Sequence, residues 1–382
     1  MRILQVLPSL EGGEVALTAL EFAQELVKQG HESIVISAGG ELVSRLELHG
    51  SRHIAMPIAE SSLLRNLLLG RRLRAQLRAL QPDVLHARGP YPARIARAAW
   101  KGLPENQRPR LVTSIHEVPT AGLFRGRLSN RAMASGEVVV AASSVLASYL
   151  RQRYSKLLGE REPQVIYRGV NTRELDSNAK VSGHWHQRIL NDFPQLEGKH
   201  WFLLPARVAP GQGQERFLEM LAAISLERDD VFGLVVGDIP EGGEKFARRL
   251  EQRALQMGLS EKVLFLGPRR DMREFYASAR ITFDLADKPL SNGRVVSEAL
   301  AMNCPVVCIE GRGAAAEIAG RCFPRGVVAN NTVAALVAAG LEILTQPLAI
   351  HFAGFSLTET TQYTLSLYEK LCGAGCPAVS AS

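Results

Sequence analysis

Cysteine is scarce in this 382-residue chain, with only Cys304, Cys308, Cys322, Cys372 and Cys376, all in the second half. The pairs Cys304/Cys308 and Cys372/Cys376 each enclose three residues with no histidine at a complementary spacing, so neither a zinc site nor a disulfide framework is expected. Aromatic residues make up only 6%. No stretch approaches the roughly eighteen uninterrupted apolar residues that a membrane-spanning helix needs. The opening MRILQVLPSL is too short for a signal-peptide core and no small-residue cleavage site follows it. A reducing, cytoplasmic setting is therefore expected. Two nucleotide-binding signatures are also missing: neither G-x-G-x-x-G nor G-x-x-x-x-G-K-[ST] occurs, which disfavours a dehydrogenase and a phosphate-loop enzyme.

What is present is a soluble composition, 46% hydrophobic and 22% charged, in a chain long enough for two domains. Its net charge of +7 is unevenly placed. Residues 1–170 hold 23 Lys/Arg against 14 Asp/Glu, and the rest holds 22 against 24. The excess concentrates between Glu60 and Arg131, where fourteen bases face four acids. Such a field attracts phosphates or an acidic membrane surface, unless it is only a solvated basic face. Nucleic acid is disfavoured because Tyr91, Trp100 and Phe124 are the only aromatics in that window. Within it, SSLLRNLLLGRRLRAQLRAL reads as a helix capped by Ser61 or Ser62. Leu73, Leu77 and Leu80 form one stripe, and Arg71, Arg74 and Arg78 the next. This helix either packs its leucines on a sheet, or docks on lipid with its arginines reaching phosphates, or does both.

Short apolar runs alternate with helical patterns throughout. Strands are expected at 3–7, 33–37, 83–87, 111–115, 138–142 and 164–167, then at 202–206, 232–236, 262–267, 281–286 and 305–309. Non-alternating strands each followed by a helix imply parallel sheets covered on both faces, twice over. A polar stretch over about 171–199 shows no strand pattern and reads as the hinge. Two doubly wound units place ligand sites at the carboxyl ends of their strands, facing a shared cleft.

Candidate chemistry falls at those ends. Gly12 and Gly13 follow the first strand and allow close backbone approach to an anion, although a plain tight turn explains them equally well. DVLHARG sets His86 and Arg88 on the same side of the fourth strand, on an acceptor or phosphate side, and His116 and Glu117 follow the fifth. In LLPARVAPGQGQERF, Arg207 lies just past a strand end before a helix start, a suitable cradle for pyrophosphate. In NGRVVSEALAMNCPVV, Gly293 and the amides of Arg294 and Val295 open a helix. Glu298, one turn inside, can accept ribose hydroxyls or merely complement the helix dipole.

On these residues, with VIYRGVN, VGDIPEGG and VLFLGPRRDM, the chain resembles the family 4 glycosyltransferases of the GT-B fold over nearly its whole length. It is most similar to bacterial enzymes that build lipopolysaccharide core or other surface glycans. The resemblance implies two Rossmann-like domains facing an interdomain cleft. The acceptor-side domain spans 1–172 and a linker 173–198. A donor domain spans 199–350, a last helix over 356–372 crosses back to the first domain, and 373–382 is a flexible tail. It implies transfer from a nucleotide diphosphate sugar, with retained anomeric configuration and no metal or other cofactor. The acceptor is then lipid-linked or lipopolysaccharide-type, met by a cytoplasmic enzyme peripheral on the inner face of an anionic membrane.

Residue by residue, Arg207 matches the arginine that binds the diphosphate, Glu298 the glutamate that holds the ribose, and His116 the histidine beside the transferred sugar. The amides after Gly293 match those that cap the diphosphate, and Pro268 and Arg269 fall where backbone meets the base. The sequence departs from the pattern at Gln212, where the family has lysine, and at Leu290, where it has glutamate. Ala16 stands where the first-domain loop carries a glutamate, for which Glu14 can substitute, and Glu117 stands where glycine is common. Losing a charge-assisted contact to a diphosphate forfeits about 1.5–3 kcal/mol. One such loss leaves a slower or differently selective enzyme. Both donor-side losses together allow a non-catalytic scaffold that supports surface-glycan synthesis.

Overall fold

The computed structural model describes residues 1–58, 63–118, 124–287, 293–346 and 349–373. Leu290, Ser61 and Ser62 lie outside these residues. The chain divides into two compact units: Met1–Gly169 with the segment from Leu357 onward, and Val170–Ser356.

The first unit runs β1 (Arg2–Val6), α1 (Glu14–Lys28), β2 (Glu32–Ser37), α2 (Val43–Leu48), β3 (Arg52–Ala55), α3 (Leu63–Leu80), β4 (Val84–Arg88), α4 (Pro90–Lys101), β5 (Arg110–Ile115), α5 (Phe124–Ala132), β6 (Val138–Ala141), α6 (Ser144–Leu158) and β7 (Gln164–Val165). Its parallel sheet has the order β3-β2-β1-β4-β5-β6-β7, so the winding reverses between β1 and β4.

The second unit runs α7 (Gly183–Asp192), β8 (His200–Pro205), α8 (Gln214–Ile224), β9 (Val231–Val236), α9 (Glu244–Gln256), β10 (Val263–Phe265), α10 (Met272–Ser278), β11 (Ile281–Asp284), α11 (Arg294–Ala301), β12 (Val306–Ile309), α12 (Ala314–Cys322), β13 (Val327–Val328) and α13 (Val333–Thr345). Its parallel order is β10-β9-β8-β11-β12-β13, reversing between β8 and β11. A final helix, α14 (Leu357–Cys372), packs on α1 and β5 of the first unit.

Both faces of the first sheet are covered, which is why its strands lack polar alternation. Ile3, Val84 and Val112 lie under Phe22 and Leu26 of α1 and under Leu365 and Tyr368 of α14. Leu4, Leu85, Leu111 and Ile115 pack with Leu73 and Leu77 of α3, Ile95 of α4 and Leu146 of α6. Each such side chain contributes about 1.5–3 kcal/mol when fully buried. The stripe of α3 settles as expected, with Leu73, Leu77 and Leu80 buried and Arg71 and Arg78 exposed. In the second unit, Phe202 and Phe283 of the sheet meet Phe217 of α8, with ring centroids of Phe283 5.2 and 5.5 Å from its two neighbours.

Three elements differ from the sequence-based expectation. β3 carries Arg52 and His53 and sits half-exposed at a sheet edge, so it presents no apolar run. β13 is two residues long and follows the same rule. The polar stretch 171–199 contains α7, which buries only Trp185 and Ile189 and therefore reads as hydrophilic.

Candidate active site

In a doubly wound sheet ligands bind beyond the carboxyl ends of strands, where the winding reverses. In the first unit those ends belong to β1 and β4. The β1 loop leads through Gly12 (φ +104°) and Gly13 (φ +80°) into α1, and Gly13 caps that helix without a side-chain hydrogen bond. A Cβ on Gly13 would meet nothing, so its glycine is required only by its positive φ. Ala16 is buried on α1. Glu14, two residues earlier, accepts a 2.8 Å ion pair from Arg168, whose other terminal nitrogen binds Glu21 at 2.9 Å.

Register assembles a polar cluster on the α1/α14 face. Gln5 lies opposite His86, and Arg88 opposite Ser114. His86 is 2% exposed; its Nδ1 meets the Tyr368 hydroxyl at 2.6 Å while Nε2 has no partner. Burial, then the charge of Arg88, holds its pKa well below 6.5. The Arg88 Nε donates to Gln5 Oε1 at 2.7 Å, and its guanidinium lies 5.2 Å from the Phe22 ring centre. Burial lowers its pKa to about 10. His116 follows β5, with Nε2 3.0 Å from Ser114 Oγ. Although part of its surface reaches solvent, burial and then the charges of Arg88 and Arg168 lower its pKa to about 3, so the ring is neutral at pH 7. Glu117 points to solvent.

In the second unit the site-bearing ends are those of β8 and β11. Arg207 is exposed, and its guanidinium has no hydrogen bond or ion pair among the described residues. Its carbonyl accepts from Gln214 Nε2 at 2.6 Å, which ties the loop to the first turn of α8. Gln212 is half-buried in the same loop. Gly213 caps α8 at φ +90°, and here glycine is doubly required: a Cβ would lie 2.5 Å from Leu285 Cβ and 2.6 Å from Leu285 O. Gly293 (φ +73°) caps α11 in the same way, with a would-be Cβ 2.8 Å from Ile318 Cδ1. Arg294 and Val295 open that helix.

Glu298 accepts from Arg294 Nε at 2.6 Å and from the Tyr276 hydroxyl at 3.1 Å, and keeps 16% of its side chain exposed. Burial, and then the Glu298 charge, raises the Tyr276 pKa well above 10. Arg269 forms a two-pronged pair with Asp271, at 2.9 and 2.7 Å, and Trp185 Nε1 donates to Asp271 at 2.7 Å. Burial opposes ionisation of Asp271, but these hydrogen bonds hold its carboxyl below its ordinary value. The Arg269 side chain is therefore spent internally, leaving its backbone for any ligand.

Helix capping separates two classes. α6 and α13 are capped by the side chains of Ser143 and Thr332. Helices α1, α8 and α11, like α4, α9 and α12, are capped by glycine instead and have no side-chain cap from that residue. Sequence reasoning missed Gln5, Arg168, Gln214, Tyr276 and Tyr368. Gln5 and Arg168 had a signal, a polar residue inside or just beyond an apolar strand. The two tyrosines had none, because each meets its partner only through the fold.

Residues 12–174 match the Glycosyltransferase Family 4 model, and residues 187–352 match Glycosyl transferases group 1. Comparison with curated protein sequences finds no match. Solved structures do resemble the chain. A glycosyltransferase from Rickettsia africae aligns at 24% identity and TM-score 0.85 over 98% of this chain and 99% of that one. Anabaena Alr3699/HepE, solved with UDP and glucose, aligns at 19% and 0.76 over 96% and 99%. WaaG, a glycosyltransferase involved in lipopolysaccharide biosynthesis, aligns at 18% and 0.64 over 97% and 98%. With two doubly wound parallel sheets and a family match on each side of residue 180, the chain is a glycosyltransferase of the GT-B fold, a Family 4 domain followed by a group 1 domain.

Proposed function

We propose that this glycosyltransferase moves a sugar, with retention of anomeric configuration, from a nucleotide diphosphate donor to a lipid-linked or lipopolysaccharide-type glycan. The observation that carries the reading is Arg207, an exposed guanidinium without a partner among the described residues, beside a helix whose glycine cap leaves its first amides without a side-chain cap. Fixed donors of this kind stabilise charge that builds on a departing diphosphate. In this reading Arg207 and the starts of α8 and α11 carry that charge in place of a metal ion or cofactor. Glu298 takes the ribose hydroxyls through its exposed edge, the backbone at Arg269 meets the base, and neutral His116 lines the sugar site. UDP, the nucleotide in Alr3699/HepE, is the first to test.

Docking at the inner face of an anionic membrane fits the exposed Arg71, Arg72 and Arg78 of α3. A cavity of about 540 Å³ lined by Leu128, Arg131, Arg153, Tyr154 and Lys156 offers cations beside apolar surface.

Arg207→Ala is expected to lower transfer by roughly a hundred- to a thousandfold with unchanged thermal stability, since the side chain is exposed. Gln212→Lys is expected to raise it. Unchanged turnover in the Arg207 variant refutes the assignment. Nucleotide-sugar binding without turnover in the unaltered protein favours the scaffold reading, for which the engagement of Glu298 with Arg294 and Tyr276 speaks.

A further inference from the structure

Two arginines are buried on the same side of the first sheet, and they are treated oppositely. Arg168, 8% exposed, is met by the carboxylates of Glu14 and Glu21. Arg88, 4% exposed, is met by no carboxylate among the described residues. Its one hydrogen bond among the described residues is to the neutral Gln5 amide, and the nearby rings of His86 and His116 are uncharged at pH 7. A buried charge is costly unless something compensates it. Among the described residues the compensation is limited to that amide and the Phe22 ring, with no counter-charge, and Arg88 is the last residue of β4, at the strand end where a doubly wound sheet receives ligands.

We propose that Arg88 receives an oxyanion, a phosphate or carboxylate group, carried by the acceptor. The inference rests on the glycosyltransferase reading and adds to it a chemical class for the substrate. The guanidinium fork suits either group because both present paired oxygens. His116, near Arg88 and held neutral with its Nε2 on Ser114 Oγ, offers its other ring nitrogen, Nδ1, to a sugar hydroxyl next to the bound anion. The polar contacts to Gln5 and the packing on Phe22 fix the guanidinium before ligand arrives, which lowers the ordering cost of binding.

The test uses the full chain with the donor side occupied by a saturating nucleoside diphosphate, chosen from UDP, GDP and ADP by titration. Inorganic phosphate, a hexose 6-phosphate and glucuronate are then added, and thermal stability is followed. All are expected to raise the Tm of the unaltered protein. Arg88→Gln should weaken phosphate binding at least tenfold, while Arg88→Lys retains a weaker response. In phosphate-free buffer Arg88→Gln should melt at or above the unaltered Tm, because it removes an uncompensated charge; a fall of more than roughly 5 °C shows a structural cation and overturns the proposal.

Gln5→Glu provides a second route: it supplies a counter-charge internally, at the loss of the Gln5 Nε2 bond to the Ala19 carbonyl, so the phosphate response should disappear. An undiminished response in Gln5→Glu or in Arg88→Gln overturns the proposal. So does the absence of any response in the unaltered protein. Vesicles containing phosphatidylglycerol, set against phosphatidylcholine alone, identify the source. Competition with phosphate assigns a lipid-borne group, and no competition with retained hexose 6-phosphate binding assigns a soluble one. Nucleotide binding without an Arg88-dependent phosphate response sinks this inference alone, whereas no binding of any nucleotide sinks the proposed transfer from a nucleotide diphosphate donor.

Discussion

The two domains share a plan and differ in where they keep their polar groups. The first sinks Gln5, His86, Arg88 and Ser114 into the face of its sheet, each less than a tenth exposed. The second leaves Arg207, Arg294 and part of Glu298 on loops and helix starts in reach of solvent. A buried cluster is set by packing before any ligand arrives, and its cost is met during folding. Surface groups cost little to fold and are ordered by the ligand. Changes in the first domain should therefore be read in stability, and changes at Arg207 in turnover.

The largest expected effect is at Arg168. Arg168→Met takes the shared cation from Glu14 and Glu21 and should cost about 3–5 kcal/mol in denaturant unfolding. A cost under about 1 kcal/mol would mean that the pair is solvated and the contrast between the domains overstated. Next come the capping glycines, which look alike in sequence. Gly213→Ala forces contact with Leu285 as well as a left-handed backbone, and should cost about 3 kcal/mol. Gly13→Ala has open space around the new Cβ but a backbone at φ +80° and ψ 172° that only glycine readily adopts, and should cost about 1–3 kcal/mol from the backbone alone. Equal costs would break the distinction.

The third prediction concerns pH. His86 and His116 titrate far below 6.5 in the folded protein, so below pH 6.5 the unfolded chain binds more protons and stability falls with falling pH. From about one pH unit above 6.5 the contribution is constant. Between pH 6.5 and 5 the loss for His116, with a folded pKa of about 3, should be about 2 kcal/mol, and His86 adds to it in the same direction. Denaturation of the His86→Asn variant at the two pH values should show a flatter dependence, and an unchanged slope would place the titration elsewhere. An effect of similar size is expected for Tyr368→Phe, which removes the hydroxyl from His86 Nδ1 and should cost about 1–3 kcal/mol, detectable as a lower Tm.

The strands that carry the site were legible because both faces of each sheet are covered, and apolar runs such as VVVA, or ILQVL interrupted only by Gln5, leave few alternatives. β3 and β13 were not, because a short edge strand needs no apolar run. Arg207, His116 and the glycine turns stood out because each breaks an apolar pattern just past a strand end. The internal occupation of Arg269 by Asp271 could be suspected from their spacing, but not the added hold of Trp185 from α7.

Local sequence thus determined which segments are strands, which turns need glycine and which residues stand at strand ends, because these depend on periodicity and backbone sterics within a few residues. Only the tertiary structure decided which charges are compensated. Arg168 finds Glu14 and Glu21 across about 150 residues of chain, as His86 finds Tyr368 across 282, while Arg88 finds no carboxylate among the described residues. Ion pairing and desolvation depend on distances of a few ångströms in space, and separation along the chain does not encode them.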